Sequence, residues 1–209
     1  NNLYHRTTVA SCLVQGVYAK ERDRENNRNG SESLATPWWK SFNFTLDESE
    51  ILYDAFDGSI YGAVFQNVIN YENTPDSIVV PPRYVIALRG TVPSVDNMND
   101  WIHNIRILFE TLHGGGKHRH VIRKIHSLVA KHGNTAVWIA GHSLGAGLAL
   151  LAGKDMAMSG LPVEAYIFNP PISLIPLEQC GYNHELNSVY RLTRDLFKAG
   201  IAKVVDLDE

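Results

Sequence analysis

Cysteine is scarce in this chain of 209 residues, occurring only at Cys12 and Cys180. Two thiols do not make the disulfide framework of a small secreted domain, and a chain this long needs none to bury a core. A bridge between them stays open, but the pair reads better as reduced intracellular thiols. Positive charge is also in short supply. Nineteen Lys and Arg against 22 Asp and Glu give a net charge of −3 and a sequence pI near 6.3. That excludes the basic field a nucleic-acid partner needs. No apolar run approaches the length of a membrane span. A transmembrane segment is therefore not expected, while peripheral membrane contact and oligomeric state stay open. The stretch Asn1 to Arg6 lacks the apolar core of a signal peptide. The sequons Asn29-Gly30-Ser31 and Asn43-Phe44-Thr45 are then read as chance, and the protein is expected in the cell interior, in the cytoplasm or an organelle.

What is present describes one globular domain over 1–209, with 44% hydrophobic and 20% charged residues. From Thr8 to about Arg24, apolar Val9, Cys12, Leu13, Gly16 and Val17 recur at helical spacing before charges crowd in, so an N-terminal amphipathic helix docked on the body is expected. Trp38-Trp39 reads as a lid or a core anchor. Ile51 to Tyr53 and Ile60 to Phe65 flank Asp57-Gly58, a strong hairpin signal. Tyr84 to Leu88 is a continuous apolar run, as expected of a central strand covered on both faces. Lys117 to His132 places Val121, Ile125, Leu128 and Val129 on one helical face, and Val163 to Phe168 reads as a further strand. Alternating strands and helices imply a mainly parallel central sheet with helices on both faces.

The most informative stretch is Val137 to Gly147: four apolar residues, then Gly141-His142-Ser143-Leu144-Gly145, then a helix rich in small residues. Gly-x-Ser-x-Gly between a buried strand and a helix is the nucleophile elbow of α/β-hydrolases. The turn strains the serine backbone, and the glycines admit neighbouring backbone. A serine attacks a carbonyl only if a base takes its proton and N–H donors hold the developing oxyanion. The N–H of Leu144, directly after the serine, is one expected donor. Arg89-Gly90-Thr91, at the end of an earlier strand, fits as the source of the other. There Gly90 allows the sharp turn, and Thr91 offers an N–H and a hydroxyl. His142 is read as packing.

Leu88-Arg89-Gly90-Thr91, Asp100-Trp101-Ile102 and Gly141 to Gly147 together resemble the class 3 (triacylglycerol) lipase family. An Arg-rich N-terminal helix, the tryptophan pair and Asn169-Pro170-Pro171 are similar to its plant lipase-like members. The resemblance spans roughly residues 8 to 175. It implies an α/β-hydrolase fold, Ser143 as nucleophile, Thr91 and Leu144 as the oxyanion hole, and hydrolysis of carboxylic esters, often acyl lipids, with no metal or organic cofactor. The family completes its triad with an Asp and then a His, well after the serine. Here His184 is the one histidine after Ser143, and it precedes Asp195 and Asp206. Triads are defined by geometry and not by chain order. The expected base is therefore His184 with Asp206 or Asp195, or else it lies outside this chain, which would leave the fold C-terminally incomplete. The alternative is a catalytically inactive, lipase-like binding scaffold. Asp155 is expected to face away from the serine. His113, His118 and His120 around Gly114 to Lys117 have no carboxylate or cysteine among them and are read as a solvated loop, not a metal site.

Overall fold

Val85, Ile86, Ala87 and Leu88 are wholly inaccessible to solvent, and the strand they belong to, β3 (Tyr84–Leu88), lies in the middle of a five-stranded sheet. The computed structural model describes residues 3–69, 81–90 and 114–170, which belong to one compact unit ending at Pro170. The sheet runs β1 (Phe44–Tyr53), β2 (Ile60–Asn67), β3, β4 (Val137–His142), β5 (Glu164–Phe168) in spatial as in chain order. Around it lie α1 (Leu3–Glu25), α2 (Gly116–His132) and α3 (Leu144–Met158).

The sheet is mixed, where the sequence pattern suggested a mainly parallel one. β1 and β2 form the expected hairpin, with Gly58 in the left-handed region at φ +68. β2 then pairs antiparallel with β3 as well, Gly62 opposite Leu88 and Phe65 opposite Val85. Among the described strands only β3–β4 and β4–β5 are parallel, with Leu88 opposite Gly141 and Gly141 opposite Ile167. Apolar-through strands report burial on both faces but not direction. That is why the pattern located the strands and misjudged their sense.

Helices cover both faces. Ala63, Phe65, Val85, Ala87, Trp138 and Ala140 alternate onto one face and form a single core cluster with Val9, Ala10, Leu13, Val14 and Val17 of α1. Val64, Ile86, Leu88 and Ile139 point the other way and are equally buried. They stand outside that cluster together with Val121, Ile125, Leu148 and Ala152 of α2 and α3. Gly133, at φ +83, ends α2 by donating its N–H to the Val129 carbonyl (2.8 Å). Trp39 is the core anchor of the tryptophan pair. Its ring lies 5.4 Å from that of Phe65 and against Gly16 of α1.

α1 is longer than the sequence pattern suggested, and its buried face is not purely apolar, because Glu21 and Asp23 are buried on it. It crosses the sheet like a brace. At its start, Arg6 pairs with Glu164 of β5 and stacks over the Trp138 ring at 4.7 Å. At its end, Glu21 accepts the N–H of Ile60, the first residue of β2, at 2.9 Å. Cys12 lies half-buried on this helix. Cys180 is outside the described residues.

Candidate active site

β3 and β4 end side by side at the carboxyl edge of their parallel pair, the edge where open α/β sheets place ligands. Ser143 sits between β4 and the first turn of α3, with φ 54 and ψ −122. A residue bearing a Cβ rarely adopts that combination, and holding it costs about 1–3 kcal/mol. The surroundings impose it. The Ser143 N–H donates to the Phe168 carbonyl at the end of β5 (3.0 Å), and the Ser143 carbonyl accepts the Gly147 N–H (3.1 Å). Ser143 is thereby fixed on both sides and only 8% exposed.

The motif glycines follow from the same crowding. A Cβ on Gly145 would fall 2.6 Å from the carbonyl oxygens of Leu88 and Arg89, and one on Gly141 would run into the Gly145 backbone. The end of β3 is therefore pressed directly against the turn. Gly90 continues the contact, since a Cβ there would stand 2.8 Å from the Ser143 Cβ. The expectation that Arg89-Gly90 lies beside the serine holds in the structure.

The backbone hydrogen bonds of this loop can be followed atom by atom. The Arg89 N–H donates to the Tyr61 carbonyl (3.0 Å), and the Gly90 N–H donates to the Tyr18 hydroxyl (2.8 Å). The Gly90 carbonyl accepts from Arg89 Nη1 (2.7 Å). Arg89 Nε also donates to the Ile60 carbonyl, and Nη2 reaches Glu21 at 3.0 Å. Burial alone would raise the Glu21 carboxyl, but Arg24, the Ile60 N–H and Arg89 outweigh it and hold it below its ordinary value. Arg24 closes the group on Glu21 through Nε at 2.7 Å and Nη2 at 3.0 Å.

His142 is more than packing. Its Nδ1 lies 2.9 Å from the Tyr18 hydroxyl, and the rings meet edge-on at 5.8 Å. Burial lowers the His142 pKa, so the ring is neutral at pH 7. The hydroxyl accepts from Gly90 and keeps one proton and one lone pair for Nδ1, so this bond forms with either neutral tautomer of the ring. Burial in turn raises the Tyr18 pKa, against the lowering effect of the Gly90 hydrogen bond and Arg89. Sequence reasoning missed Tyr18 altogether. It lies two turns after Cys12 in a helix read only as a docking element, and nothing local marks it.

Leu144 is the first residue of α3, and an N–H in the first turn has no carbonyl of its own helix to bind. Thr91, Asp195, Asp206 and His184 lie outside the described residues, as do Asp100-Trp101-Ile102 and His113. Asp155 faces His118, with Oδ2 3.2 Å from Nε2. His118 and His120 are not in a solvated loop. Both lie on α2, where His118 is buried and His120 Nδ1 meets the Tyr61 hydroxyl at 2.8 Å. The glycine run misled the reading, because Gly116 already belongs to the helix. Among the described residues no group of three or more His, Cys, Asp or Glu is placed to hold a metal ion, and no helix is long and apolar enough to cross a membrane.

Residues 116–175, which run from α2 through the serine turn to just past β5, match the family model described as Lipase (class 3). A protein of Arabidopsis thaliana named a GDSL esterase/lipase is 37% identical over 205 residues. That alignment covers 96% of this chain and 58% of the relative, so the chain spans somewhat over half the length of the protein it matches. No solved structure matches.

Proposed function

We propose, for a chain whose residues 116–175 match the class 3 lipase family model, that the protein is a serine carboxylic-ester hydrolase acting on an acyl lipid or another apolar ester. The observation that carries this reading is the backbone of Ser143, held at φ 54 between strand and helix with Gly90 against it. Strain of this kind persists only where the surroundings over-determine it, and an idle turn serine has no use for it.

In this reading the Ser143 hydroxyl attacks the ester carbonyl as a base takes its proton, the alcohol leaves, and water then hydrolyses the acyl-enzyme. The oxyanion is held by two N–H groups, those of Leu144 and Thr91. Leu144 contributes the amide directly after the nucleophile, at the positive end of α3. The hydrogen bonds before Thr91 support its selection, because the Arg89 and Gly90 amides are already given to Tyr61 and Tyr18. The Thr91 N–H shares a planar peptide with the Gly90 carbonyl, which Arg89 Nη1 holds. The base is His184, oriented by Asp206 or Asp195, or a histidine outside this chain. His142 is left out of the triad in this reading, because its ring is held against Tyr18 on α1.

Labelling the full-length protein with a fluorophosphonate probe, read by peptide mass spectrometry beside Ser143→Ala, tests the reading. An adduct on Ser143 that forms far faster than on a free serine is the expected result. No adduct would return the protein to the class of lipase-like scaffolds.

A further inference from the structure

We propose that Tyr18 is a positioning residue for the ester hydrolysis put forward above, holding the loop after β3 at a fixed distance from the serine turn. The proposal rests on that reading and extends it to a residue outside the motifs. One hydroxyl joins the two halves of the site, accepting from Gly90 N–H at 2.8 Å and sharing a hydrogen bond with His142 Nδ1 at 2.9 Å. Gly90 is the residue before the loop's oxyanion donor, and His142 is the residue before the nucleophile. The hydroxyl therefore sets the separation of Gly90 from the turn that carries Ser143 without touching the substrate.

Three features make this a rigid setting. Tyr18 is carried on α1, which is pinned to β5 through Arg6 and to β2 and the loop through Glu21. The space is full, because a Cβ on Gly90 would meet the Tyr18 hydroxyl oxygen at 2.9 Å and the His142 carbonyl oxygen at 3.0 Å. The Gly90 carbonyl is held independently by Arg89, so loss of the hydroxyl frees the loop amide alone. Tyr18→Phe keeps the ring and leaves a buried N–H and a ring nitrogen without their partner. Both can then be satisfied only if the loop or the turn moves.

The test compares wild type, Tyr18→Phe and Leu13→Ala in the full-length protein. Leu13 is fully buried on the same helix but makes no hydrogen bond to the site, so it reports the effect of loosening α1 in general. Fluorophosphonate labelling of Ser143 is resolved into probe affinity and the rate of the bonding step, with thermal unfolding measured alongside. The expected result for Tyr18→Phe is a bonding rate lower by about 10- to 100-fold, the range for misplacing reacting groups by up to an ångström. Affinity is expected within about twofold, because the hydroxyl sets geometry and not the apolar cleft. Nitrogen NMR of His142 should show a single tautomer in wild type and a mixture in the variant.

An unchanged bonding rate in Tyr18→Phe would overturn the proposal and leave the hydrolase reading standing. So would an equal loss in Leu13→Ala, since Tyr18 would then matter only as packing. Wild-type protein that does not label at all would remove the hydrolase reading, and the proposal with it.

Discussion

Arg89 and Glu21 stand 3.0 Å apart with side chains 8% and 1% exposed, an ion pair made almost entirely out of water between the loop after β3 and helix α1. A pair so buried is stabilising only while both partners are present, because either charge left alone has lost its hydration. Glu21 is further committed to the Ile60 N–H and Arg24, and Arg89 to two carbonyls.

Removing either partner is therefore costly. Glu21→Ala or Arg89→Ala should each destabilise by about 3–5 kcal/mol, and the double variant by less than the sum, a coupling that urea unfolding of the four-member cycle measures. Arg89→Lys should fail to rescue, because one ammonium cannot reach Ile60, Gly90 and Glu21 together.

The strain at Ser143 makes a prediction of the opposite sign. Ser143→Gly should raise stability by about 1–3 kcal/mol, since glycine adopts φ 54 freely. Ser143→Ala keeps the Cβ and should not. Thermal unfolding of the two variants separates backbone strain from loss of the hydroxyl. A Gly141→Ala or Gly145→Ala protein should not fold stably, because backbone atoms already occupy the space of the new methyl.

Stability should fall on acidification in two windows. His142, His120 and His132 all have pKa values lowered, first by burial. Arg123 and Lys124 face His120, and Arg83 and Lys131 face His132, adding to the same direction. The unfolded chain then binds protons more readily than the folded one, so stability is lost as pH drops below the ordinary histidine value of 6.5. Glu21 and Asp23 open a second window. Burial would raise the Asp23 carboxyl, but the Ser33 hydroxyl, the Leu34 and Ala35 N–H groups and Arg28 outweigh it and hold it far below the usual range. Stability from both carboxylates is present above their ordinary values of 4.5 and 3.8 and is lost below them. Urea midpoints across this pH range check both windows.

At alkaline pH the sign reverses. Burial first, and then Asp54, push the Tyr61 pKa up to about 12, so the folded protein resists ionising this hydroxyl. Its contribution is intact below the ordinary value of 10.0 and is lost as pH rises past it. Tyr61→Phe should flatten that alkaline limb, which also tests the bond from Tyr61 to His120.

Much of the scaffold was legible because it is local. β3 declares itself by an unbroken apolar run, α2 by one apolar face, and the serine turn by two glycines at fixed spacing. The juxtaposition of Arg89-Gly90 with Ser143 also followed, from pairing two motifs that mean little apart. Two kinds of feature were not legible. Strand direction was one, since Gly62 opposite Leu88 is decided by how the chain returns and not by the composition of either strand. The other was the burial of Glu21, which the sequence shows only as one of a run of charges. Its partner Arg89 is 68 positions away, and no periodicity reports a contact that distant. Tyr18 escaped for the same reason.

The brace formed by α1 has a consequence for how the chain is made. This helix leaves the ribosome well over a hundred residues ahead of β5, the strand it grips at Glu164. Until then Leu13 and Val17, which the finished fold shields completely, have no complete surface to cover them. Contacts so distant in sequence form late and slow the search for the native state. The serine turn, whose two sides are locked together through Tyr18, thus comes into register only when α1 closes over β5.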